Sequence, residues 1–530
     1  MSAKSQKNSL FFLILIGFLA LLRLEAKKPN FIIVYIDDLG WADTSVRMMD
    51  SDPESASDFN QTPQLARLAK RGMKFSNAYA PAPTCTPSRK SIQFGKTPGR
   101  LGYTFVHDVL ALQRKLQWKD ETSLADVLKA ADEEYVTAHF GKGMGNERME
   151  TIGYDVTDEF ESHSDNGNFH GEFISLKNRK PLPADNPKRM ASLKERSVNF
   201  VHKHSGKRPF FMMVSHYAVH VPHAARPDLI EKYRKLPRGK YCTDSDYLPV
   251  EKMPKGKIIS SWRLQYAAML EEVDEGLGAI MDALEKTGQQ ENTYIIYTSD
   301  NGGGLGPNGT LRGGKANLYE GGLRVPFVVA GPGVQQGVQC DVPIVQWDLL
   351  PTLHDYCKSK QPLPSDLDGG SLRQVFENGN AGKVVRPVEG FVFHYPCYFA
   401  PPLSVIRLGD YKLMEHHLTG ERRLYNVVTD YGERENLASQ MPEKISKLKK
   451  VMDEYLELID AENVQDVYEA RFAELDRFEK TAREVHKRVV DKAMGDPVKI
   501  AEADERLQSN LIRFDKNRKE CRQNMQGKTF

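Results

Sequence analysis

Three near-continuous apolar runs stand out along the chain: Asn30-Phe31-Ile32-Ile33-Val34-Tyr35-Ile36, Pro209-Phe210-Phe211-Met212-Met213-Val214 and Thr293-Tyr294-Ile295-Ile296-Tyr297-Thr298. Runs of this length without polar alternation predict strands buried on both faces. The stretches Ser123 to Ala131 and Trp262 to Lys286 instead repeat apolar residues at helical spacing. From about residue 27 to 386 strand-like and helical segments alternate, the pattern of an α/β body. Around 361–382 the composition shifts to Pro, Asp and Gly, and Leu403 to Met414 then reads as a hairpin opening a second unit. Further on, Val464, Tyr468, Phe472, Leu475, Ala482, Val485 and Val489 recur at helical spacing among charges, and another helix is expected after Asp496-Pro497. The expected organisation is 1–26 as a leader, 27–385 as the main domain, 386–458 as a C-terminal subdomain and 459–530 as a helical extension packed back over the body, with self-association or partner docking as the alternative role of that extension.

The leader carries Lys4 and Lys7 ahead of the apolar run Leu10 to Leu22, broken only by Gly17. That run is shorter than the ~20 residues a membrane span needs. It predicts a secretory signal cleaved near Ala26, hence export (periplasmic, secreted or lysosomal) without stable membrane insertion. An uncleaved anchor is the alternative. The whole chain is formally +2, and Lys4, Lys7 and Arg23 against Glu25 place that surplus in the leader, so the remainder is neutral. A neutral balance gives no support to nucleic-acid or anionic-membrane binding. Of the six cysteines (85, 242, 340, 357, 397 and 521) the spacings specify no disulfide. Asn60-Gln61-Thr62 and Asn308-Gly309-Thr310 fit the glycosylation acceptor pattern.

Candidate chemistry sits where the apolar runs end. The first opens into Asp37-Asp38-Leu39-Gly40, two adjacent carboxylates that repel unless a cation lies between them. Strand carboxyl ends are also where open α/β sheets bind ligands. The third opens into Ser299-Asp300-Asn301-Gly302-Gly303, repeating the arrangement. Asp37, Asp38, Asp300 and Asn301 form a hard-oxygen set suited to calcium or magnesium. A solvated turn after each strand is the bland alternative.

Four more segments complete a pattern. Thr84-Cys85-Thr86-Pro87-Ser88-Arg89 contains Cys-x-Pro-x-Arg, with Arg89 one helical turn beyond Cys85. Lys142 closes the run from Tyr135 to Gly141, His220 lies in His220-Val221-Pro222, and Lys315 lies in the Gly-Lys-x-x-x-Tyr-Glu-Gly-Gly-x-Arg-Val-Pro segment from Gly314 to Pro326. In this order, with Arg423 to Asp430 and Glu433 to Leu437 near the end, residues 28 to about 458 resemble the formylglycine-dependent sulfatases of the alkaline phosphatase superfamily, arylsulfatase A-like in type. The resemblance implies an α/β/α sandwich with a large mixed sheet, plus a smaller C-terminal antiparallel sheet backed by a helix. It implies one calcium ion held by Asp37, Asp38, Asp300, Asn301 and modified Cys85. It also implies maturation of Cys85 to formylglycine by a formylglycine-generating enzyme, and catalytic roles for Arg89, Lys142, His220 and Lys315.

The implied chemistry is sulfate-ester hydrolysis through the aldehyde hydrate. One hydroxyl attacks sulfur to form a sulfo-enzyme and the other later expels sulfate, with Asp300 accepting the first proton and His220 or Lys315 serving the leaving alcohol. A sulfated carbohydrate is the expected substrate, and His394-Tyr395-Pro396 resembles a motif of carbohydrate-acting members that would line a sugar subsite. Two features depart from the family. The His usual after Gly-Lys, the base for elimination, is replaced by Gly143-Met144-Gly145, which leaves His139, His163 and His170 as candidates. Phe94-Gly95 stands where Thr-Gly or Ser-Gly usually follows the cysteine motif. Two other functions fit the same scaffold: a phosphodiesterase or phosphonate hydrolase, and a non-catalytic binder of sulfated glycans.

Overall fold

A computed structural model describes residues 28–158 except 115, 117 and 146, then 167–170, 180–247, 262–304 and 308–525. The proposed leader and His163 lie outside these residues, as does the side chain of His170. The main sheet uses β1 (Asn30–Ile36), β2 (Met73–Phe75), β3 (Val136–Gly141), β4 (Val156–Thr157), β5 (Phe210–Ser215), β6 (Thr293–Ser299), β7 (Phe327–Ala330) and β8 (Val338–Cys340). Their spatial order is β8-β2-β7-β6-β1-β5-β3-β4. The three apolar runs become its centre: β1 pairs in parallel with β5 on one side and β6 on the other. β7 runs antiparallel to both its neighbours, which makes the sheet mixed.

Period-two alternation splits β1 between two cores. Phe31, Ile33 and Tyr35 pack with the helices α2 (Cys85–Phe94), α3 (Leu124–Ala131) and α6 (Leu349–Tyr356). Ile32, Val34 and Ile36 pack on the other face with α1 (Pro63–Arg71), α4 (Met190–His204) and α5 (Trp262–Lys286). Ser123 starts α3 with a capping box: its hydroxyl accepts the Asp126 N–H, and Asp126 accepts the Ser123 N–H. Such a cap stabilises a helix by about 1 kcal/mol.

A four-stranded antiparallel sheet follows, β9 (Phe391–Tyr395), β10 (Leu403–Leu408), β11 (Tyr411–His416) and β12 (Arg422–Asn426), in that order. Val392, Ile406, Leu413 and Leu424 on one face pack against Leu448, Met452 and Tyr455 of α7 (Pro442–Leu458). Phe391, Phe393, Val405 and Tyr425 on the other face meet Tyr79 and Trp347 of the main body. The α/β sandwich and the helix-backed small sheet are the architecture that the sequence leads one to expect.

The last two helices, α8 (Val464–Lys492) and α9 (Pro497–Met525), form an antiparallel pair. Among the described residues only their open end packs on the body, where Val464, Val467 and Tyr468 at the start of α8 and Cys521 near the end of α9 enter the core around Cys397 and Tyr398. Asn524 donates to the Tyr398 carbonyl at 2.9 Å. The buried residues of α8 all lie between Val464 and Leu475, so the expectation that the extension packs back over the body holds for that open end alone.

Candidate active site

Because β1 and β6 are parallel and level, with Ile36 opposite Ser299, their carboxyl ends bring Asp37-Asp38 and Asp300-Asn301 to one spot. The Asp38 N–H donates to Asp300 Oδ1 at 3.1 Å, and Asn301 Nδ2 donates to Asp38 Oδ1 at 2.9 Å. All four residues are buried. The glycines after Asn301 are required by close approach. A Cβ on Gly302 would lie 1.9 Å from the Gly321 carbonyl oxygen, tying this turn to the Tyr-Glu-Gly-Gly segment.

Cys85 is the first residue of α2 and is 8 % exposed. Its Sγ lies within 4.8 Å of carboxylate oxygens of Asp37 and Asp300. One turn on, the buried Arg89 guanidinium clamps the site. Nε donates to Asp300 Oδ2 at 2.8 Å, and Nη1 donates to the Lys142 carbonyl at 3.0 Å and to Ser215 Oγ at 2.5 Å. Its Nη2 stands 3.8 Å from Asp37 Oδ1, an ion-pair distance rather than a hydrogen bond. Burial opposes the Arg89 charge, and Asp300 and Asp37 more than offset it.

Lys142 follows β3, and its ammonium donates to Asp37 Oδ2 in a very short contact. Gly141 permits this path: a Cβ there would come within 2.0 Å of the Ser215 carbonyl oxygen. Lys315 Nζ donates to Asp38 Oδ2 at 2.8 Å. His220 Nε2 lies 3.6 Å from that same Asp38 oxygen, while its Nδ1 meets the Val221 carbonyl at 2.5 Å. A carbonyl only accepts, so Nδ1 carries the hydrogen and Nε2 is left to exchange protons with the cluster. Burial lowers the His220 pKa, which favours this neutral form.

The carboxylates respond in opposite senses. Asp37 is held well below the usual range: burial raises it, but Lys142, His220 and Arg89 outweigh that. Asp300 is pushed up to about 7, first by burial and then by Asp37 and Asp38, against the pull of Arg89. Two buried oxygens in the cluster, Asp37 Oδ1 and Asn301 Oδ1, accept no hydrogen bond from the described residues. Orphaned oxygens beside three carboxylates fit a hard divalent cation.

Every proposed site residue is therefore in or beside one cluster. Of the other imidazole candidates, His139 is the one whose side chain is described, and it lies elsewhere, packed edge-on against Tyr154 in the core with ring centroids 5.3 Å apart. Ser215 and Tyr35 escaped the sequence reading. Tyr35 packs its ring 5.1 Å from the Arg89 guanidinium carbon. Ser215 was findable, since it ends the second apolar run as Asp37 and Asp300 follow the others.

The sugar-subsite reading of His394-Tyr395 is overturned. His394 is buried, with Nδ1 on Ser404 Oγ and Nε2 on the Glu462 carbonyl, both at 2.8 Å, and Tyr395 is 1 % exposed. The fold also occupies both glycan acceptors. Asn60 Nδ2 donates to the Asp43 carbonyl at 2.7 Å, and Asn308 Nδ2 to that of Gly313 at 2.9 Å.

A family-wide sequence model for Sulfatase matches residues 29–359. The chain belongs to the sulfatase family, and it is a sulfuric ester hydrolase. Among its relatives is a sulfatase of Formosa agariphila, 29 % identical over 503 residues that span 78 % of this chain and 85 % of that one. An ulvan-active sulfatase of the same organism is 28 % identical over 437 residues, 78 % of each chain. Among solved structures, that of Ps i-CgsB superimposes with a TM-score of 0.63 at 24 % identity, covering 81 % of this sulfatase and 93 % of its own chain. The shared fold places the cluster described above at the carboxyl edge of this sulfatase's central strands.

Proposed function

We propose that this sulfatase hydrolyses sulfate esters of a sulfated carbohydrate, with formylglycine at position 85 and one calcium ion. The observation that carries the reading is the meeting of Cys85 Sγ with Asp37 and Asp300 oxygens within 4.8 Å, braced by Arg89. Formylglycine, when formed, supplies two hydroxyls on one carbon, a nucleophile and a later expelling group that no encoded side chain provides. Asp37, Asp38, Asp300 and Asn301 would hold calcium, which supplies positive charge to the sulfate oxygens.

The chain's own residues do the rest. Arg89, Lys142 and Lys315 match the three carboxylates in charge, so a divalent ion leaves a positive surplus that suits a sulfate group. Asp300 takes the proton of the attacking hydroxyl. The Lys315 ammonium gives a proton to the departing alcohol oxygen, with His220 Nε2 beside it on Asp38. His220, neutral with its hydrogen on Nδ1, takes a proton at Nε2 for elimination, which replaces the imidazole missing after Lys142. The carbohydrate class is supported by the relatives, one of which is named for activity on ulvan. Export by the leader accords with an extracellular polymer as substrate. Among the described residues no helix is long and apolar enough to cross a membrane.

The test is the mass of the tryptic peptide Phe75 to Arg89, from protein made beside a formylglycine-generating enzyme. It is paired with turnover of sulfated oligosaccharides against matched phosphate esters. A peptide that has lost sulfur and two hydrogens and gained one oxygen, with sulfate-selective turnover, is expected. An alkylatable thiol in an active enzyme, or a preference for phosphate, refutes the proposal.

A further inference from the structure

Beyond Leu475 the two C-terminal helices enclose an open groove of about 820 Å³. Phe478, Val485 and Val489 line it from α8, and Leu507 and Phe514 from α9. Phe478, Val485 and Val489 are 43 %, 44 % and 42 % exposed, although with Ala482 they form one apolar stripe at helical spacing. Two helices can shield only the faces they turn to each other. Here Ala482 and Ala503 leave too little side chain to close the seam, and a third helix would complete a bundle.

The rim decides what kind of helix. Lys492, Lys499, Arg506 and Arg513 border the groove, against Glu502 as its acidic member. Lys499 also meets Asp496 at 3.1 Å, an exposed pair of little energetic weight. The Arg513 guanidinium lies 5.4 Å from the Phe514 ring, bringing positive charge to the apolar floor. A second copy docking by two-fold symmetry would set one basic rim against another.

We propose that this groove is a docking site for an amphipathic helix of a partner protein, with apolar residues facing the floor and acidic residues along both flanks. The lined stretch of α8, from Phe478 to Lys492, runs about 21 Å at 1.5 Å per residue, room for a helix of about four turns.

The test uses the full chain and two labelled synthetic helices of about 20 residues. One has Leu at the a and d positions and Glu elsewhere, and the other has Lys in place of Glu. Anisotropy titrations are expected to show the acidic helix binding at least ~10-fold more tightly than the basic one, and weakening as salt rises. Val485→Asp, and separately the exposed pair Lys492→Glu with Arg506→Glu, are each expected to weaken it by ~10-fold or more. Thermal melts accompany both variants, and if Val485→Asp loses its fold the charge-reversed pair decides. Equal affinity for both helices, binding to neither, or binding indifferent to charge reversal overturns the proposal. So does a concentration-dependent dimer in sedimentation velocity that charge reversal strengthens, since a second copy would then fill the groove.

Discussion

Lys412 of the small sheet and Glu320 of the Tyr-Glu-Gly-Gly segment form a fully buried ion pair at 2.9 Å. Lys412 also meets Glu433 at 2.8 Å, and Glu433 Oε2 accepts the Glu320 N–H at 2.6 Å. Glu320 is further held by Arg324 and by the Tyr79 hydroxyl. Two segments that look like signature motifs in the sequence are thus a staple between the main body and the small sheet. Removing Lys412 takes from Glu433 the cation it pairs with and from Glu320 one of its two, leaving negative charge buried.

Lys412→Ala is therefore expected to destabilise the fold by ~3–5 kcal/mol, read as a lower urea midpoint. The Glu320 carboxyl lies well below its usual value: burial raises it, and Lys412 and Arg324 outweigh that. Its contribution is present above the unfolded carboxylate pKa of ~4.3 and is lost as pH falls through the depressed folded value. The deficit of Lys412→Ala relative to wild type should narrow in strong acid, where the pair is already discharged.

Glu462 shows the opposite sign. Burial, then Asp108 beside it, push its carboxyl up to about 9, although Arg114 Nη1 donates to it at 3.1 Å. A raised folded pKa contributes stability below the unfolded value that is lost as pH rises through about 9. Glu462→Gln mimics the protonated form, so its melting temperature relative to wild type should rise steadily between about pH 5 and pH 9. A constant offset across that range would refute the assignment.

Arg89→Lys keeps the charge and loses the fork. A lysine can reach Asp300 or the Lys142 carbonyl with Ser215, but not all three, and it leaves a buried acceptor unmet. We expect kcat/KM on a sulfate ester to fall by ~10²–10³. The stability loss should stay near ~1–3 kcal/mol. Stopped assays and thermal melts on the same preparation separate the two.

Dialysis against a chelator tests the cation site without relying on turnover. Re-adding calcium at about 100 times its dissociation constant should stabilise the chain by ~2.7 kcal/mol, seen as a rise in melting temperature. Asp38→Asn, which removes a charge shared with Lys315 and His220, should shrink that rise. A melting temperature indifferent to calcium in the wild type would exclude a structural cation here.

The departure at Phe94 has a structural counterpart. Its ring stacks on Trp118 with centroids 5.8 Å apart and planes 10° apart, and Lys90 Nζ lies 3.9 Å from the same indole. A small hydroxyl residue at 94 would leave that stack open. The sequence shows the substitution, but not the tryptophan, twenty-four positions later, that accommodates it.

Local pattern was enough for several parts of this sulfatase. The apolar runs identify β1, β5 and β6, because a strand covered on both faces has no polar side to alternate with. The turns after them identify Asp37, Asp38, Asp300 and Asn301, because carboxylates and glycines at a buried strand end have few other uses. Other features depend on contacts between distant segments. Short strands such as Met73–Phe75 carry too few residues to show a period, and this one exists through pairing with Val328 and Val329 on one side and Val338–Cys340 on the other. The burial of His394, the Arg89–Ser215 contact and the Glu320–Lys412 pair join residues 10, 126 and 92 positions apart or farther from their partners. No local periodicity encodes such meetings, because they are set by how sheets and helices pack around a shared core.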